Sequence, residues 1–506
     1  MSYAGTTTAI SYDNDSLVTG IHGYTLGLKA NNALPETVSD NTFVQTRGYN
    51  GYGEVTTTST QVNNQSTYDY SLTYNDLGQI VTKQETLHNG SVNNYVYTYD
   101  PNRRWLTMVT KNNVLVESYA YDANGNRTLY TNTALNINGK VPTYNIADQL
   151  TSDGHIYDVD GYLTQKTING VTTQYQYSSR GQLVSVQAPS LNITYQHNAM
   201  GNRVAKRVNG TITEKYLWQD KTTLLAVYNP DNSLKQRFEY TLGNTPTSFT
   251  QAGQKYYIVS DHLGSPRVIT DSNVAVLKAY SFDAFGNQST ITDNDPTMEI
   301  PFGFAGGLYD TDTGLIRFGY RDYDPETGRW TARDPIGLNG GDGDVYAYVG
   351  NSPINQIDSL GLCGPCIQAV KHIVKNIPSA AVSFGATYGV SRANGDGYGE
   401  SAINAAIAGG TSLIFGGTTA PTVVASSIVG NGSSQLLTKG TLDLSQLAVA
   451  GVVAVPAFQV GRVLDIFGRP IVSAIGSEYV SQSLSYLANG AIDPSYIDKG
   501  SYCEAP

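Results

Sequence analysis

A short motif, Tyr-Asp-x-x-Gly, recurs along the first half of the chain and constrains the fold more than any other feature. The clearest copies begin at Tyr74, Tyr121, Tyr157, Tyr177 and His197. Their spacing fits a period of roughly 20 to 25 residues, which indicates a repeat array. Where the copy has Asp after the first residue, that Asp can cap a turn; the Gly at the fifth position can take a positive φ, and the Tyr, Thr and Val flanks favour strands. The pattern predicts a string of β-hairpins, none able to bury its face alone.

The amino-acid composition agrees with a sheet protein and excludes several functional classes. Tyr outnumbers Phe by 37 to 12, Gly reaches 52, and charged residues make up 14% of the chain. The net charge of −11 argues against a broad nucleic-acid-binding surface, which would need clustered Lys and Arg. Cysteine does not occur before residue 363, so a disulfide scaffold is excluded there. The first residues lack the basic and apolar segments of a signal peptide.

The composition changes sharply near residue 362. Of the 37 tyrosines, 31 precede residue 363, as do all three tryptophans. Residues 1–362 carry 24 basic and 34 acidic side chains, whereas residues 363–506 carry 7 and 8. We therefore expect a hairpin array over 1–254, a denser motif region over 255–362 and a separate C-terminal tail over 363–506.

The second region carries four longer motifs. They are Asp261-His-Leu-Gly-Ser-Pro-Arg267, Tyr280-Ser-Phe-Asp-Ala-Phe-Gly-Asn287, Tyr323-Asp-Pro-Glu-Thr-Gly-Arg-Trp330 and Arg333-Asp-Pro-Ile-Gly-Leu338. With the repeats, they resemble the RHS/YD-repeat family and its repeat-associated core, found in polymorphic toxins, the C component of Tc toxins and, more loosely, teneurins. The resemblance covers residues 1–362. It implies a mainly β fold, a spiralling YD-repeat hairpin shell that forms a partial cocoon.

The resemblance also implies a self-cleavage site. In the family the core ends in two Asp-centred motifs, which match Asp334 and Asp358 here, and Arg333 would support the pair. The cut would fall between Leu362 and Cys363. Two carboxylates held close together cannot both ionise, so one can activate water while the other donates a proton to the scissile carbonyl.

Two departures from the family pattern leave an alternative open. Ser359 stands where the family usually has Pro, and 20 residues separate Gly337 from Asp358, where about 18 are expected for the family. Gly341-Asp-Gly-Asp344 looks like the insertion. Asp-Pro and Asp-x-x-Gly are also ordinary turn formers, so both aspartates could be turn caps alone. No cofactor or metal site is expected.

The tail has a different character. Cys363 and Cys366 form a CxxC without a second ligand pair, and residues 401–438 contain no charge. A small, mostly α-helical Gly/Ala-rich region is predicted. Its roles remain open between a cargo held by the shell, a membrane-active segment and an unrecognised enzyme.

The sequence predicts a toxin-delivery shell that encapsulates its C-terminal segment and releases it by cutting after Leu362. A non-catalytic adhesion shell is the alternative. If residues 1–362 were all strand, the sheet would enclose an inner radius of roughly 16 Å, whereas a folded tail needs about 19 Å. We therefore expect a shell-completing or secretion partner besides the cargo, and the resemblance to polymorphic toxins adds an immunity protein to the expected partners. The expected location is secreted or cell-surface, by a dedicated secretion system.

Overall fold

A computed structural model describes residues 2–30, 32–340 and 342–362. Within these residues the chain is almost entirely antiparallel sheet, built as a meander in which each strand pairs with its sequence neighbours. This confirms the predicted mainly β hairpin shell. Cys363, Cys366 and the expected helical tail lie outside the described residues.

The first large sheet has 13 strands in the order β15 to β3. Its strands are β3 Ile10–Tyr12, β4 Val18–Ile21, β5 Tyr24–Leu28, β6 Pro35–Ser39, β7 Phe43–Tyr49, β8 Val55–Val62, β9 Gln65–Tyr74, β10 Ile80–Leu87, β11 Val92–Tyr99, β12 Leu106–Lys111, β13 Val114–Tyr121, β14 Arg127–Asn132 and β15 Ile137–Lys140. A two-stranded sheet of β1 Ser2–Tyr3 and β2 Thr6–Thr7 precedes it.

The second large sheet has 14 strands in the order β16 to β29. Its strands are β16 Ile156–Tyr157, β17 Leu163–Ile168, β18 Val171–Tyr177, β19 Leu183–Ala188, β20 Leu191–His197, β21 Arg203–Val208, β22 Thr211–Trp218, β23 Leu224–Tyr228, β24 Leu234–Glu239, β25 Ser248–Gln251, β26 Gln254–Ser260, β27 Pro266–Asp271, β28 Val276–Phe282 and β29 Gln288–Asp293.

A small four-stranded sheet follows, in the order β30 to β33. It consists of β30 Leu308–Tyr309, β31 Ile316–Phe318, β32 Arg321–Asp324 and β33 Arg329–Trp330. The 3-10 helices of the described residues are Thr133–Leu135, Phe304–Gly306, Gly337–Gly340 and Val349–Asn351.

The repeated motif forms the turn that its residues predict. In the copy at Tyr121, the Asp122 carboxylate accepts hydrogen bonds from the backbone N–H groups of Asn124 and Asn126, at 2.9 and 3.0 Å. Gly125 has a φ of 95°, a conformation that costs glycine little. The Tyr side chain has a second role, since its hydroxyl donates to the Leu106 carbonyl at 2.7 Å. Tyr and Asp of one motif therefore secure two neighbouring hairpins.

The two large sheets pack against each other through side chains of the motif region. Phe43 on β7 stacks on Tyr257 on β26, with ring centroids 5.5 Å apart. Arg267 on β27 reaches across to Glu85 on β10, with N–O distances of 2.7 and 3.0 Å, and Tyr68 donates to the same carboxylate at 2.9 Å. All three polar side chains are buried. The motif around Arg267 thus joins the first sheet to the second.

A second buried junction involves the turn after β28. Both carboxylate oxygens of Glu117 on β13 accept from the backbone N–H of Ala284, and Asn132 donates to Asp283 at 2.6 Å. Burial, and then the neighbouring Asp283 carboxylate, raise the pKa of Glu117 to about 8. The tyrosine hydroxyl of Tyr119 also contacts Glu117, at 2.5 Å. Burial and the neighbouring carboxylate therefore favour the protonated form of Glu117.

Candidate active site

The hairpin β31–β32 carries the central cation of the candidate site. Its turn is Gly319-Tyr320, and Arg321 opens β32 opposite Phe318. Gly319 lies against the Leu360 carbonyl so closely that a methyl group there would overlap it. The Tyr320 N–H donates to that same carbonyl at 2.8 Å. The hairpin turn therefore fixes the segment that follows Asp358.

One nitrogen atom of Arg321 contacts both predicted aspartates. Its Nη2 lies 2.9 Å from Asp334 Oδ2 and 3.3 Å from Asp358 Oδ2. The three residues are buried, with exposed fractions of 3%, 7% and 2% respectively. The ring of Trp330 lies 4.1 Å from the guanidinium carbon and covers its face. A buried cation thus brings the two carboxylates to one point.

The rest of the Arg321 guanidinium binds the backbone near the expected cut. Its Nε donates to the Gly361 carbonyl at 2.6 Å, and its Nη1 donates to the Val345 carbonyl at 3.2 Å. Planar guanidinium geometry lets one side chain hold all these acceptors in a fixed arrangement. Arg321 is therefore placed to set both the carboxylates and the peptide that leads into Leu362.

Asp334 sits at the start of the Pro335 turn. Its Oδ1 accepts from the Ile336 N–H at 2.9 Å, and its own N–H donates to the Val345 carbonyl at 3.0 Å. Burial raises the pKa of Asp334, the Arg321 charge opposes this, and the Asp358 charge adds to the rise. Burial therefore favours the protonated form of Asp334.

Asp358 caps the last described turn of the chain. Its Oδ1 accepts from the N–H groups of Gly361 and Leu362, at 2.9 and 3.1 Å. The other oxygen, Oδ2, faces Arg321. Three donors on one carboxylate suit its ionised form. Asp358 therefore contacts the residue on the amino side of the predicted cut, whereas Cys363 lies outside the described residues.

The structure places the Arg333 side chain at the surface and not between the aspartates. Its side chain is exposed and packs over Gly161, and Arg321 occupies the position expected of it between the aspartates. Sequence reasoning selected Arg333 because it adjoins Asp334. An extended chain points neighbouring side chains to opposite faces, so the residue before a buried Asp faces outward. Arg321 lies 13 residues before Asp334 in the sequence, and the antiparallel pairing of β32 with β31 brings it next to both aspartates.

The proposed insertion does not disturb the pair. The segment 342–344 follows the 3-10 helix Gly337–Gly340 and precedes the Arg329–Ala347 bridge, so the extra residues lie in a loop. Asp344 in that loop binds Arg329, with an Oδ1 to Nη2 distance of 3.0 Å. Across the part of the chain that the structure describes, no group of His, Cys, Asp or Glu side chains could hold a metal ion.

Comparisons with known proteins identify the shell. The family model described as Teneurin YD-shell matches residues 2–353. The chain belongs to this YD-shell family. The match confirms the RHS/YD-repeat resemblance and covers both large sheets and most of the motif region.

Curated relatives of the YD-shell chain include animal and bacterial proteins. Teneurin-3 of Danio rerio is 30% identical over 294 residues, which cover 55% of this chain and 10% of the relative. The tRNA3(Ser)-specific nuclease WapA of Bacillus spizizenii is 31% identical over 258 residues, covering 49% and 11%. The chain therefore spans about a tenth of the length of these relatives.

A solved structure shares the YD-shell fold. The Tc holotoxin pore of Photorhabdus luminescens matches 70% of this chain and 20% of its own, with a TM-score of 0.56 and 17% identity. At that identity the match concerns the fold alone. Within the described residues no helix has the length and hydropathy needed to span a membrane.

Proposed function

We propose that this YD-shell protein cuts its own backbone between Leu362 and Cys363, with Asp334 and Asp358 as the catalytic carboxylates and Arg321 as their positioning residue. The observation that carries the proposal is the contact of one Arg321 nitrogen with both aspartates, beside a turn that ends at Leu362. Paired carboxylates of unlike protonation are a recognised means of peptide hydrolysis.

The roles follow from the electrostatics. Asp358, held by three donors, is the ionised base that takes a proton from water, and the water oxygen bonds to the Leu362 carbonyl carbon. Asp334, whose pKa burial raises, donates its proton to the carbonyl oxygen. The tetrahedral intermediate then returns a proton to Asp334 as the carbonyl re-forms. The C–N bond breaks, and the leaving amine of Cys363 takes the proton from Asp358.

Water is the only co-reactant, and each carboxyl group ends in its starting state. The substrate is the protein's own chain, so its effective concentration is high and a slow catalyst suffices for one turnover. Arg321 fixes the pair and the Gly361 carbonyl together. We expect its loss to misplace both carboxylates at once.

A blot of the full chain, tagged at both ends, tests the proposal. The wild type should give fragments of 362 and 144 residues, and Asp334→Asn and Asp358→Asn should each remain intact. Asp122→Asn is the matched control, because it alters a cap of the same kind in the repeat array. An uncut wild-type chain, or cutting in both active-site variants, would sink the proposal.

We further propose that the shell delivers its C-terminal segment, residues 363–506, as cargo. Support comes from the relative named as a tRNA nuclease and from the shared fold of a Tc holotoxin pore. By the same analogy the protein is secreted or cell-surface and acts with a partner that completes the shell. To test this, the tail is labelled at a specific residue and the protein is run on gel filtration before and after cleavage. The label should elute with the shell before cleavage, and its position afterwards shows whether the tail separates from the shell.

A structural role for the aspartates is the second candidate. Asp358 is a complete turn cap, and the Arg321 ion pairs by themselves hold the segment 358–362 onto the β31–β32 hairpin. On this reading the chain is a repeat shell for surface contact. The blot above separates the two candidates, because a structural lock leaves the wild-type chain whole.

A further inference from the structure

A pocket lies beside the turn that carries Asp358 and is distinct from the carboxylate pair. Its walls include Lys221 after β22, Arg317 on β31 and Ser359 in the turn. The space open to a water-sized sphere amounts to about 20 Å³, so the pocket has room for a small occupant only.

Two cations in this pocket have donors without acceptors. The Lys221 ammonium is shielded from solvent and makes no hydrogen bond among the described residues. Arg317 is 5% exposed; its Nη1 donates to Asp322 at 2.6 Å, while its Nη2 has no partner in the described part of the chain. A buried ionic donor without an acceptor is costly, so it needs an explanation.

The nearby negative charge is already shared. The Asp322 carboxylate binds Arg317 through one oxygen and Arg203 through the other, at 3.0 Å. The Lys221 ammonium lies over the ring of Tyr320, 4.3 Å from its centroid, and also close to Gly201. Burial, together with the Arg317 charge, lowers the pKa of Lys221 to about 8. The Asp322 carboxylate is therefore shared by two arginines, and the Lys221 ammonium has no carboxylate partner among the described residues.

We propose that this pocket binds a small inorganic oxyanion of the phosphate type. Such an ion supplies acceptors to the Lys221 ammonium and to Arg317 Nη2, and it balances the charge that Asp322 leaves uncompensated. Charge-assisted hydrogen bonds from Lys and Arg are the common means of holding phosphate. The Ser359 hydroxyl on the same wall can add a neutral donor.

The site adjoins the candidate cleavage turn but does not depend on its chemistry. Ser359 directly follows Asp358, and Arg317 lies on the strand that pairs with the strand of Arg321. A bound ion would thus touch both segments that frame the carboxylates. Its binding is a separate property, which the full chain should show whether or not it cuts itself.

Thermal unfolding of the full chain in phosphate tests the proposal, with sodium chloride added to hold ionic strength constant. A ligand that binds the folded state raises the Tm with its concentration. We expect a rise in the wild type, no rise in Lys221→Met, and an unchanged rise in Lys215→Met, whose exposed ammonium binds Pro230 and Asn232 instead. Equal shifts in wild type and Lys221→Met, or none in wild type, would overturn the proposal.

A second measurement uses the same variant without phosphate. In phosphate-free buffer, Lys221→Met should match or exceed the wild-type Tm, because it removes an unpaired buried charge. A Tm clearly below that of the wild type in phosphate-free buffer would contradict the assignment of Lys221 as an unpaired charge.

Discussion

The Asp122 turn of the repeat array and the Asp358 turn near the candidate cut use the same local chemistry in different surroundings. Each Asp caps its turn by accepting two backbone N–H groups through Oδ1. Asp122 is partly exposed, and its second oxygen binds the side chain of Asn126. Asp358 is 2% exposed, and its second oxygen faces Arg321.

The difference between the two aspartates lies in burial and in the partner, not in the motif. An exposed cap is solvated and fixes only its own turn. A buried cap beside a cation and a second carboxylate experiences strong local fields, because the surroundings screen charge poorly. Under the proposed mechanism, the same residue type closes a hairpin at Asp122 and serves as a base at Asp358.

Replacing the central cation should have the largest effect. Arg321→Gln removes the contact between Asp334 and Asp358 and the hold on the Gly361 carbonyl. We expect self-cleavage to slow by about 100-fold or more, the range for losing acid–base catalysis. The rate is read from the appearance of the 144-residue fragment over time.

The matched control is Arg333→Gln, which removes an exposed guanidinium next to Asp334. It should cut at the wild-type rate. The thermal unfolding of each variant is measured as well, to separate a loss of positioning from a loss of folding. Arg321→Lys keeps the positive charge and tests whether charge alone is enough for cleavage. If Arg333→Gln stops cleavage while Arg321→Gln does not, the assignment of Arg321 is wrong.

The hairpin array and the turn chemistry could be predicted from sequence because both depend on neighbouring residues. Tyr, Asp and Gly at fixed offsets determine a turn wherever they occur. The two aspartates of the candidate site were found through a family motif, not through physics. Arg321 was missed, since nothing local to it shows that a return strand will face Asp334 and Asp358. The residues that make long-range pairs, such as Arg267 with Glu85, likewise carried no local signal.

The next largest effect is expected at the junction between the two large sheets, where a substitution should lower the free energy of unfolding. Glu85→Ala leaves the buried Arg267 guanidinium without its carboxylate, and losing one partner of a buried pair costs about 3–5 kcal/mol. Denaturant unfolding measures the change. Asp153→Ala breaks a pair with Lys140 in which both side chains are 30% exposed, and it should cost less than about 1 kcal/mol. Equal losses would mean that the junction does not hold the sheets together.

The junction at Glu117 should make stability depend on pH. Because the folded pKa is raised from 4.5 to about 8, the folded state binds the extra proton between those values. Stability is then fully present below pH 4.5 and declines as pH rises towards 8, by up to about 1.4 kcal/mol per pH unit.

Glu117→Gln keeps the shape and should flatten this decline, a relative gain of about 2–4 kcal/mol by pH 8. The unfolding midpoints of the wild type and the variant are compared at pH values about one unit apart, from about pH 5 to pH 8. Identical pH profiles for wild type and variant would show that Glu117 ionises at its ordinary pKa in the fold.

The smallest effect is expected in the repeat array itself. Tyr121→Phe deletes the hydroxyl that donates to the Leu106 carbonyl while keeping the ring, so it should cost about 0.5–1.5 kcal/mol. Tyr52→Phe is the control, because its side chain is 83% exposed and loses only contact with water. Since several repeats contribute a similar bond, for example Tyr74 to Val55 and Tyr99 to Ile80, combined variants in distant repeats should add. If the changes in unfolding free energy do not add, the array unfolds in separate segments. The exposed turns of the array would then differ from the buried turn at Asp358 in unfolding cooperativity as well as in their charged surroundings.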